Sequence, residues 1–323
     1  MLAAALTTVL FSLSITFGHR ASKLVGGSEA NFWRLAFATA ILGAWSFQFG
    51  LGLGGEAFTY FFLSGLFGFG IGDVALYQAL PRLGARLAMV FTQCLAAPFG
   101  SLIEWLWLDT RLTRPQLIFI VLILAGVAVA IAPARSDPEQ KERRINLLGA
   151  IFGTLAALGG AAGAVLSRKG FAVAAEAGET VSGADAAFQR IVAGLLVGGV
   201  AFLFVRWRHH NYSFDPRDLP ATEVGIKKWR GLWVWVLGNA LAGPVLGVSF
   251  MQWALRTTPT GIVLAIVATT PLAVIPLARI FEHEQITKRS LVGSAIAVAG
   301  VIGLAISTEP EGLIFFIHRL PRT

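Results

Sequence analysis

The chain has 323 residues, 55% of them hydrophobic and only 14% charged, with a mean hydropathy of +0.70. Soluble domains carry roughly 25% charged residues, and a water-soluble fold would have nowhere to hide this much apolar sequence, so the composition argues against one and for a bilayer. The single cysteine, Cys94, excludes an internal disulfide framework and gives no metal cluster. The net charge of +8 falls in short gaps between apolar runs, where it sets topology and meets anionic headgroups rather than nucleic acid.

Ten apolar runs are long enough to cross a bilayer as helices of about 17–25 residues: 2–17, 32–49, 58–80, 86–108, 116–132, 147–167, 186–205, 232–255, 260–280 and 291–307. They lack period-two alternation, which speaks against a barrel, and every backbone polar group in lipid must be paired, which makes each run a helix. The first run has no basic leader and no small-residue cleavage pattern, so it is expected to be a retained span rather than a signal peptide. Phe32-Trp33-Arg34-Leu35 opens the second run and Phe188-Gln189-Arg190-Ile191 the seventh. An arginine at a helix start opposes the helix dipole. The favoured expectation is that both snorkel to headgroups; the other is a charge facing a vestibule that attracts anionic substrate.

The third run carries Gly68-Phe69-Gly70-Ile71-Gly72-Asp73 and then Tyr77-Gln78-Ala79-Leu80. The glycines do not make a nucleotide fingerprint, because that motif needs a strand before it and a helix after. Gly68 with Gly72, Gly159 with Gly163, Gly194 with Gly198 and Gly243 with Gly247 are spaced four apart and read as small faces for close helix approach. Asp73 lies about 10 Å of helix rise before the end of its run. Ionisable residues inside a span are functional candidates by default. Asp73 is read either as a carrier of a coupling proton or partner of a cationic group, or as a structural carboxylate bonded to a neighbouring span. The first reading predicts that Asp73→Asn abolishes pH-driven transport and leaves folding intact. In the fourth run Thr92 and Gln93 precede Pro98, a proline at mid-depth that breaks the helix and frees a carbonyl. Glu104, beside Trp105 and Trp107 near the end of that run, reads as part of an interface belt.

The stretch 133–145 is the most polar early gap and separates five runs from five. After it the pattern returns about 175 residues on: Gly243-Pro244-Val245-Leu246-Gly247, Ala254-Leu255, Pro271, Ile286-Thr287 and Ala299-Gly300-Val301 answer Gly68–Gly72, Ala79-Leu80, Pro98, Leu112-Thr113 and Ala125-Gly126-Val127. Two related halves with an odd number of spans each must be inverted, which is the architecture of transporters with a site between the halves. Asn239, Ser249 and Gln252 on the eighth run, and Thr269 and Thr270 before Pro271, a second helix-breaking proline, on the ninth, oppose Asp73, Tyr77, Gln78, Thr92 and Gln93. Together they are candidate cavity residues for a small polar solute, against the alternative of interhelical hydrogen bonds worth about 0.6–2 kcal/mol each. The loop 206–230 holds His209 and His210, which have no visible further ligands for a metal site. With Arg34 and Arg190 set aside, 17 of the remaining 24 Lys and Arg residues fall in the gaps after odd-numbered runs, which places both termini outside. Residues 309–323 are too short to span and are expected at the interface.

The ten-run order, the Gly-rich third run ending in Tyr77-Gln78-Ala79-Leu80, Pro98 in the fourth, and the turns Leu108-Asp109-Thr110-Arg111-Leu112-Thr113 and Glu282-His283-Glu284-Gln285-Ile286-Thr287 resemble the drug/metabolite transporter superfamily, EamA-like family. Glu284 fits the family's turn, but Thr110 stands where its glutamate would be and neither turn has its glycine. The resemblance covers residues 1–307. It implies an all-α polytopic membrane protein of ten transmembrane helices in two inverted five-helix repeats, 1–134 and 146–307, joined by the linker 135–145 and followed by the tail 308–323. It also implies secondary transport of a small metabolite or drug-like solute, often export, with no cofactor, no metal and no catalytic residues. The expected setting is the plasma membrane, as a monomer or homodimer. A non-transport structural or assembly protein would explain the spans but not Asp73. A polytopic membrane enzyme would need an interfacial cluster that only His209 and His210 hint at, and no P-loop, HExxH or GxSxG motif is present.

Overall fold

The computed structural model describes residues 2–108, 113–131, 147–211, 227–257, 263, 266–282 and 288–308. All regular structure among them is helical: α1 (Leu2–Val25), α2 (Gly27–Phe49), α3 (Phe58–Gly65), α4 (Asp73–Met89), α5 (Ala96–Leu108), α6 (Arg114–Ile131), α7 (Leu147–Glu176), α8 (Gly183–Asn211), α9 (Lys227–Ala240), α10 (Val248–Thr257), α11 (Thr270–Glu282) and α12 (Lys288–Thr308). Three π-helical segments interrupt them, π1 (Leu66–Gly72), π2 (Val90–Cys94) and π3 (Leu241–Gly247). Five helical stretches are long and apolar enough to cross a membrane, namely Leu2–Val25, Phe58–Gly100, Leu147–Glu176, Gly183–Trp207 and Gly231–Arg256. Arg114–Ala130 and Leu291–Leu304 are shorter apolar helices.

The stretch Phe58–Gly100 is not one straight rod. Gly84 has φ 80°, a left-handed conformation that glycine adopts without a Cβ clash. Side-chain neighbours reverse there. Phe61, Gly68 and Gly72 descend along Gly170, Gly163 and Gly159 of α7, whereas Leu83 and then Phe91 climb back along Gly149 and Gly153. The expected boundary between the third and fourth runs therefore falls on this turn.

Polar residues point inward and large apolar ones outward, the pattern of a protein solvated by lipid. Along α1, Thr7, Thr8, Ser12, Ser14, Thr16, His19 and Ser22 are buried. Leu196, Val200, Leu203 and Phe204 of α8, and Leu147, Leu148, Ile151, Leu155 and Leu158 of α7, are exposed. Such a belt would aggregate in water.

Four close antiparallel crossings join residues before 132 to residues after 147. Asn31 and Leu35 of α2 meet Gly198, Gly43 meets Phe188, and Ser46 donates to Asp185 Oδ1 at 2.5 Å. Phe17, Ser14 and Phe11 of α1 lie against Gly238, Gly243 and Gly247. Ala130, Gly126 and Ile123 of α6 lie against Gly293, Ala297 and Gly300 of α12. On the α3–π1 and α7 crossing, glycine pairs face each other. A Cβ on Gly159 would sit 2.6 Å from the Phe67 carbonyl oxygen and 2.9 Å from Gly72 Cα, and one on Gly163 would sit 3.3 Å from Gly68 Cα. The spacing of four therefore acts as a small face.

The start of α8 is held by a reciprocal cap. Asp185 N donates to Ser182 Oγ at 3.1 Å, while Ser182 Oγ donates back to Asp185 Oδ2 at 2.8 Å. Leu51 N also donates to Asp185 Oδ1, and Gln189 Nε2 donates to the Gly52 and Gly54 carbonyls, so this cap fastens the 50–57 turn. The expected loop 206–230 is shorter than its composition suggests: α8 continues to Asn211 and α9 begins at Lys227. The side chains of His209, His210, Glu104, Trp105 and Trp107, the whole linker 135–145 and the tail from 309 lie outside the described residues.

Candidate functional site

Asp73 is the first residue after π1. A π-helical turn accommodates one more residue than an α-turn and re-aims the side chains beyond it. Here it brings the Asp73 carboxylate to Arg34 of α2, whose Nη2 donates to Oδ2. The pair is nearly sealed, with Arg34 6% and Asp73 15% exposed at the side chain. The same nitrogen donates to Asn31 Oδ1 at 2.9 Å, and the guanidinium lies 5.0 Å from the centre of the Tyr77 ring. Tyr77 follows Asp73 by four residues, hence on the same helix face. Its hydroxyl accepts a hydrogen bond from Asn239 Nδ2 of α9, and Asn239 Oδ1 accepts one from Ser14 Oγ of α1 at 2.7 Å. One connected polar network thus crosses α1, α2, α4 and α9. It closes against α1 because position 18 is glycine, where a Cβ would come within 2.8 Å of the Tyr77 hydroxyl and 2.9 Å of Asn239 Nδ2.

A second buried cation lies beside it. Arg190 of α8 donates from Nη1 to Ser167 Oγ at 3.0 Å and stacks 5.5 Å from the Phe69 ring centre. Ser167 and Ser64 share a hydrogen bond at 2.9 Å, and Ser64 donates on to the Gly163 carbonyl at 2.6 Å. Arg34 and Arg190 each sit seven residues into their helices, about 10 Å of rise. Because α2 and α8 run antiparallel, the two reach the interior from opposite ends. Each lodges against a π-segment: Arg34 Nη1 is 3.5 Å from where a Cβ of Gly243 would be, and Arg190 Nη2 is 3.1 Å from that of Gly68. The favoured expectation that these arginines snorkel to headgroups is therefore wrong. They are only 5% and 7% exposed. The helices start at Gly27 and Gly183, earlier than the apolar runs at 32 and 186, so both side chains sit deeper than a helix start.

The other candidates divide. Asp73, Tyr77 and Asn239 come together in the network above. Gln78 instead donates to Ser28 Oγ at 3.1 Å and accepts from Arg82 Nη1 at 3.1 Å, nearer the helix ends. Four hydroxyls are engaged within their own segments: Thr92 with the Ala88 carbonyl at 2.9 Å, Ser249 with Val245 at 2.5 Å, Thr269 with Ile266 at 2.6 Å and Thr270 with Val267 at 2.5 Å. Gln93 is half-buried on π2. Gln252 is wholly buried, and neither its Oε1 nor its Nε2 has a hydrogen-bond partner among the described residues. Pro98 is the third residue of α5, after the irregular stretch 90–95, and Pro271 is the second residue of α11, after the turn at 268–269. Proline is tolerated in a first turn, where its missing N–H is unneeded. Asn31, Ser14, Ser167 and Ser64 were not among the site candidates from sequence, and Arg34 and Arg190 entered only through the less favoured reading of a charge facing a vestibule. The arginines had a signal in their repeated Phe-x-Arg context, but serines in apolar runs carry none.

The EamA-like transporter family model matches residues 1–132 and 147–306. The chain belongs to the EamA-like transporter family. As an EamA-like protein it is a multi-pass membrane transporter of the drug/metabolite type, a family of transporters and not of enzymes. Another protein's crystal structure shares the EamA-like fold over 97% of this chain and 97% of its own, at 15% identity and a TM-score of 0.59. Similarity at that identity speaks for the fold alone. No curated protein matches the sequence.

Proposed function

We propose that the protein is a secondary transporter. It moves a small solute across the plasma membrane by alternating access between two inverted five-helix repeats, 1–134 and 146–307. Two matches of the family model on either side of 133–146 support the repeats. So do π1 and π3, which are both seven residues long and fall at corresponding places in the repeated sequence. Ten spans, an even number, keep both termini on one side, and the basic gaps put that side outside. The observation that carries the reading is the buried network Ser14–Asn239–Tyr77 with Asn31–Arg34–Asp73, which joins the two halves in the interior. Polar groups there are costly and are kept where they serve a pathway. Asp73, Tyr77 and Asn239 form the heart of the site. Gln93 and Gln252 are the further side chains with donors and acceptors to offer a solute. Asp73 is the carboxylate that carries a coupling proton: when protonated it lets go of Arg34 within the first half, which loosens the network that reaches Asn239 of the second through Tyr77.

The test is flux in sealed vesicles. A thermal-unfolding screen against amino acids, polyamines, nucleobases, sugars and sugar phosphates selects the solute. A ligand at about 100 times its dissociation constant stabilises by roughly 2.7 kcal/mol. The labelled hit should cross reconstituted vesicles, and Asp73→Asn should remove the part of the flux driven by a pH gradient. A hit that binds the folded protein but never crosses overturns the transport reading. Unchanged pH-driven flux in the variant removes Asp73 from its role.

A further inference from the structure

Two arginines and one aspartate form the charged interior just described. Asp73 is bonded to Arg34. Arg190 has no carboxylate at bonding distance among the described residues. Its hydrogen-bond partner is the Ser167 hydroxyl, and its buried Nε has none. The difference follows from the sequence. Asp73 is the residue immediately after π1, and the residue immediately after π3 is Val248. The carboxylate that answers Arg34 in one half thus has a valine as its counterpart for Arg190 in the other. A guanidinium held away from water whose electrostatic partner, Asp73, is already bonded to Arg34 is only partly compensated, and one kept inside a membrane protein marks a place where an anion is met.

There is room for that anion. On α7, Ile151, Leu155 and Leu158 are exposed on the outer face. Gly160 lies nine residues beyond Ile151, about two and a half turns, and therefore points the opposite way. It sits in the middle of the inward face, among buried Ala156, Ala157, Gly163 and Ala164, yet it is exposed. Among the described residues no atom comes within 4 Å of where its Cβ would be. That open space touches π1 on one side, since a Cβ on Gly72 would lie 3.5 Å from Gly160 N. One turn along α7 is Gly163, whose missing Cβ leaves 3.4 Å to Arg190 Nη2. The guanidinium is thus wedged between the backbones of Gly68 and Gly163, at the edge of an interior space with Asp73 just beyond Gly72.

We propose that Arg190 receives an oxyanion of the transported solute, a carboxylate or phosphate group lying in the space beside Gly160. The substrate is accordingly a small organic anion. This rests on the transporter reading and adds the substrate class to it. Guanidinium pairs with either group through two parallel N–H donors, and Ser167 Oγ holds its Nη1. Asp73, the residue next to Gly72 at the border of the space, disfavours a second negative charge on the solute. A single anionic group, or an anionic group followed by a cationic or neutral portion, fits this arrangement.

The experiment uses matched pairs of solutes that differ in the anionic group alone: an amino acid and its amide, a sugar phosphate and its sugar, a nucleoside monophosphate and its nucleoside. Binding to the full-length protein in micelles is read by thermal shift and then by titration. The anionic member of at least one pair should bind at least tenfold more tightly than its partner. Which pair responds separates carboxylate from phosphate. Arg190→Gln should abolish that preference, and Arg190→Lys should restore part of it. Equal binding within every pair, preference for the neutral member, or no binding by any anionic member to folded wild-type protein overturns the proposal. An anion preference that survives in folded Arg190→Gln does so as well. The comparison within pairs needs no variant, so a misfolded Arg190→Gln leaves it decisive. Vesicle flux keeps the two readings apart: a neutral solute that crosses refutes the anion site and spares transport, whereas an anion that binds at Arg190 and never crosses does the reverse.

Discussion

Replacing Asp73 by asparagine keeps the side chain's volume and an acceptor oxygen for Arg34 Nη2 but removes the charge. The Arg34 guanidinium would then be a buried cation without its counter-ion. Orphaning one member of a buried pair costs about 3–5 kcal/mol. The lower end applies here, because Asn31 remains 2.9 Å from the same nitrogen, the Tyr77 ring stays beneath the guanidinium, and Asp73 is 15% exposed. Asp73→Asn should therefore lose about 3 kcal/mol. The expectation from sequence, that this substitution leaves folding intact, gives way to one of a protein that folds with a reduced margin. Arg34→Gln alone should lose a similar amount by stranding the carboxylate. The double variant should lose clearly less than the two single losses combined, with a coupling of about 2 kcal/mol. Reversible unfolding in mixed micelles with increasing denaturing detergent measures all four proteins. Single variants as stable as the wild type, or a double variant whose loss equals both singles together, would refute the reasoning, because the pair would then contribute nothing to the fold.

Two more expectations concern packing. A Cβ at position 65 would lie 1.8 Å from the Arg190 carbonyl oxygen, which is backbone and cannot rotate away, whereas position 100 has nothing of the described residues within 4 Å. Gly65→Ala should lose about 1–3 kcal/mol or more through forced helix separation, and Gly100→Ala should be neutral or gain up to about 1 kcal/mol from helix propensity; the same unfolding assay ranks them, and the opposite order would show that the α3–α8 crossing is looser than drawn. Gln252 buries an amide with no partner at either end among the described residues, so Gln252→Leu should stabilise by about 1–2 kcal/mol. If Gln252 also meets the solute, flux falls while stability rises, and a destabilised Gln252→Leu would mean that the amide has a partner after all.

The helical, lipid-embedded character of the chain was legible because it is written in composition: apolar runs of spanning length leave no other way to pair the backbone. Asp73, Tyr77 and Asn239 were legible as polar residues where polar residues are costly, and they meet. The arginines were misjudged because the boundary of an apolar run is not the boundary of a helix. Gly27-Ser28-Glu29 reads as a polar gap yet forms the first turn of α2, which carries Arg34 inward. Thr92, Ser249, Thr269 and Thr270 looked equally eligible in sequence, since nothing in it tells a hydroxyl that faces a neighbour from one bonded to its own helix. The π-segments were visible only as repeated glycines. Whether such a stretch widens into a π-turn depends on what packs against it, and its partners are more than 80 residues away, at Gly159 and at Ser14.

The placement of the glycine-backed seams has a consequence for how the protein can be made. Four antiparallel crossings join residues before 132 to residues after 147, and each is closed by glycine backbone on at least one of its two sides. Separated at the intervening gap, each fragment would present unmatched grooves to lipid, where no hydrophobic drive exists to hide them and only shape and hydrogen bonding reward reunion. Two polypeptides cut there and synthesised side by side should find each other in the bilayer and rebuild the whole by complementation, with the covalent bridge serving stoichiometry rather than architecture.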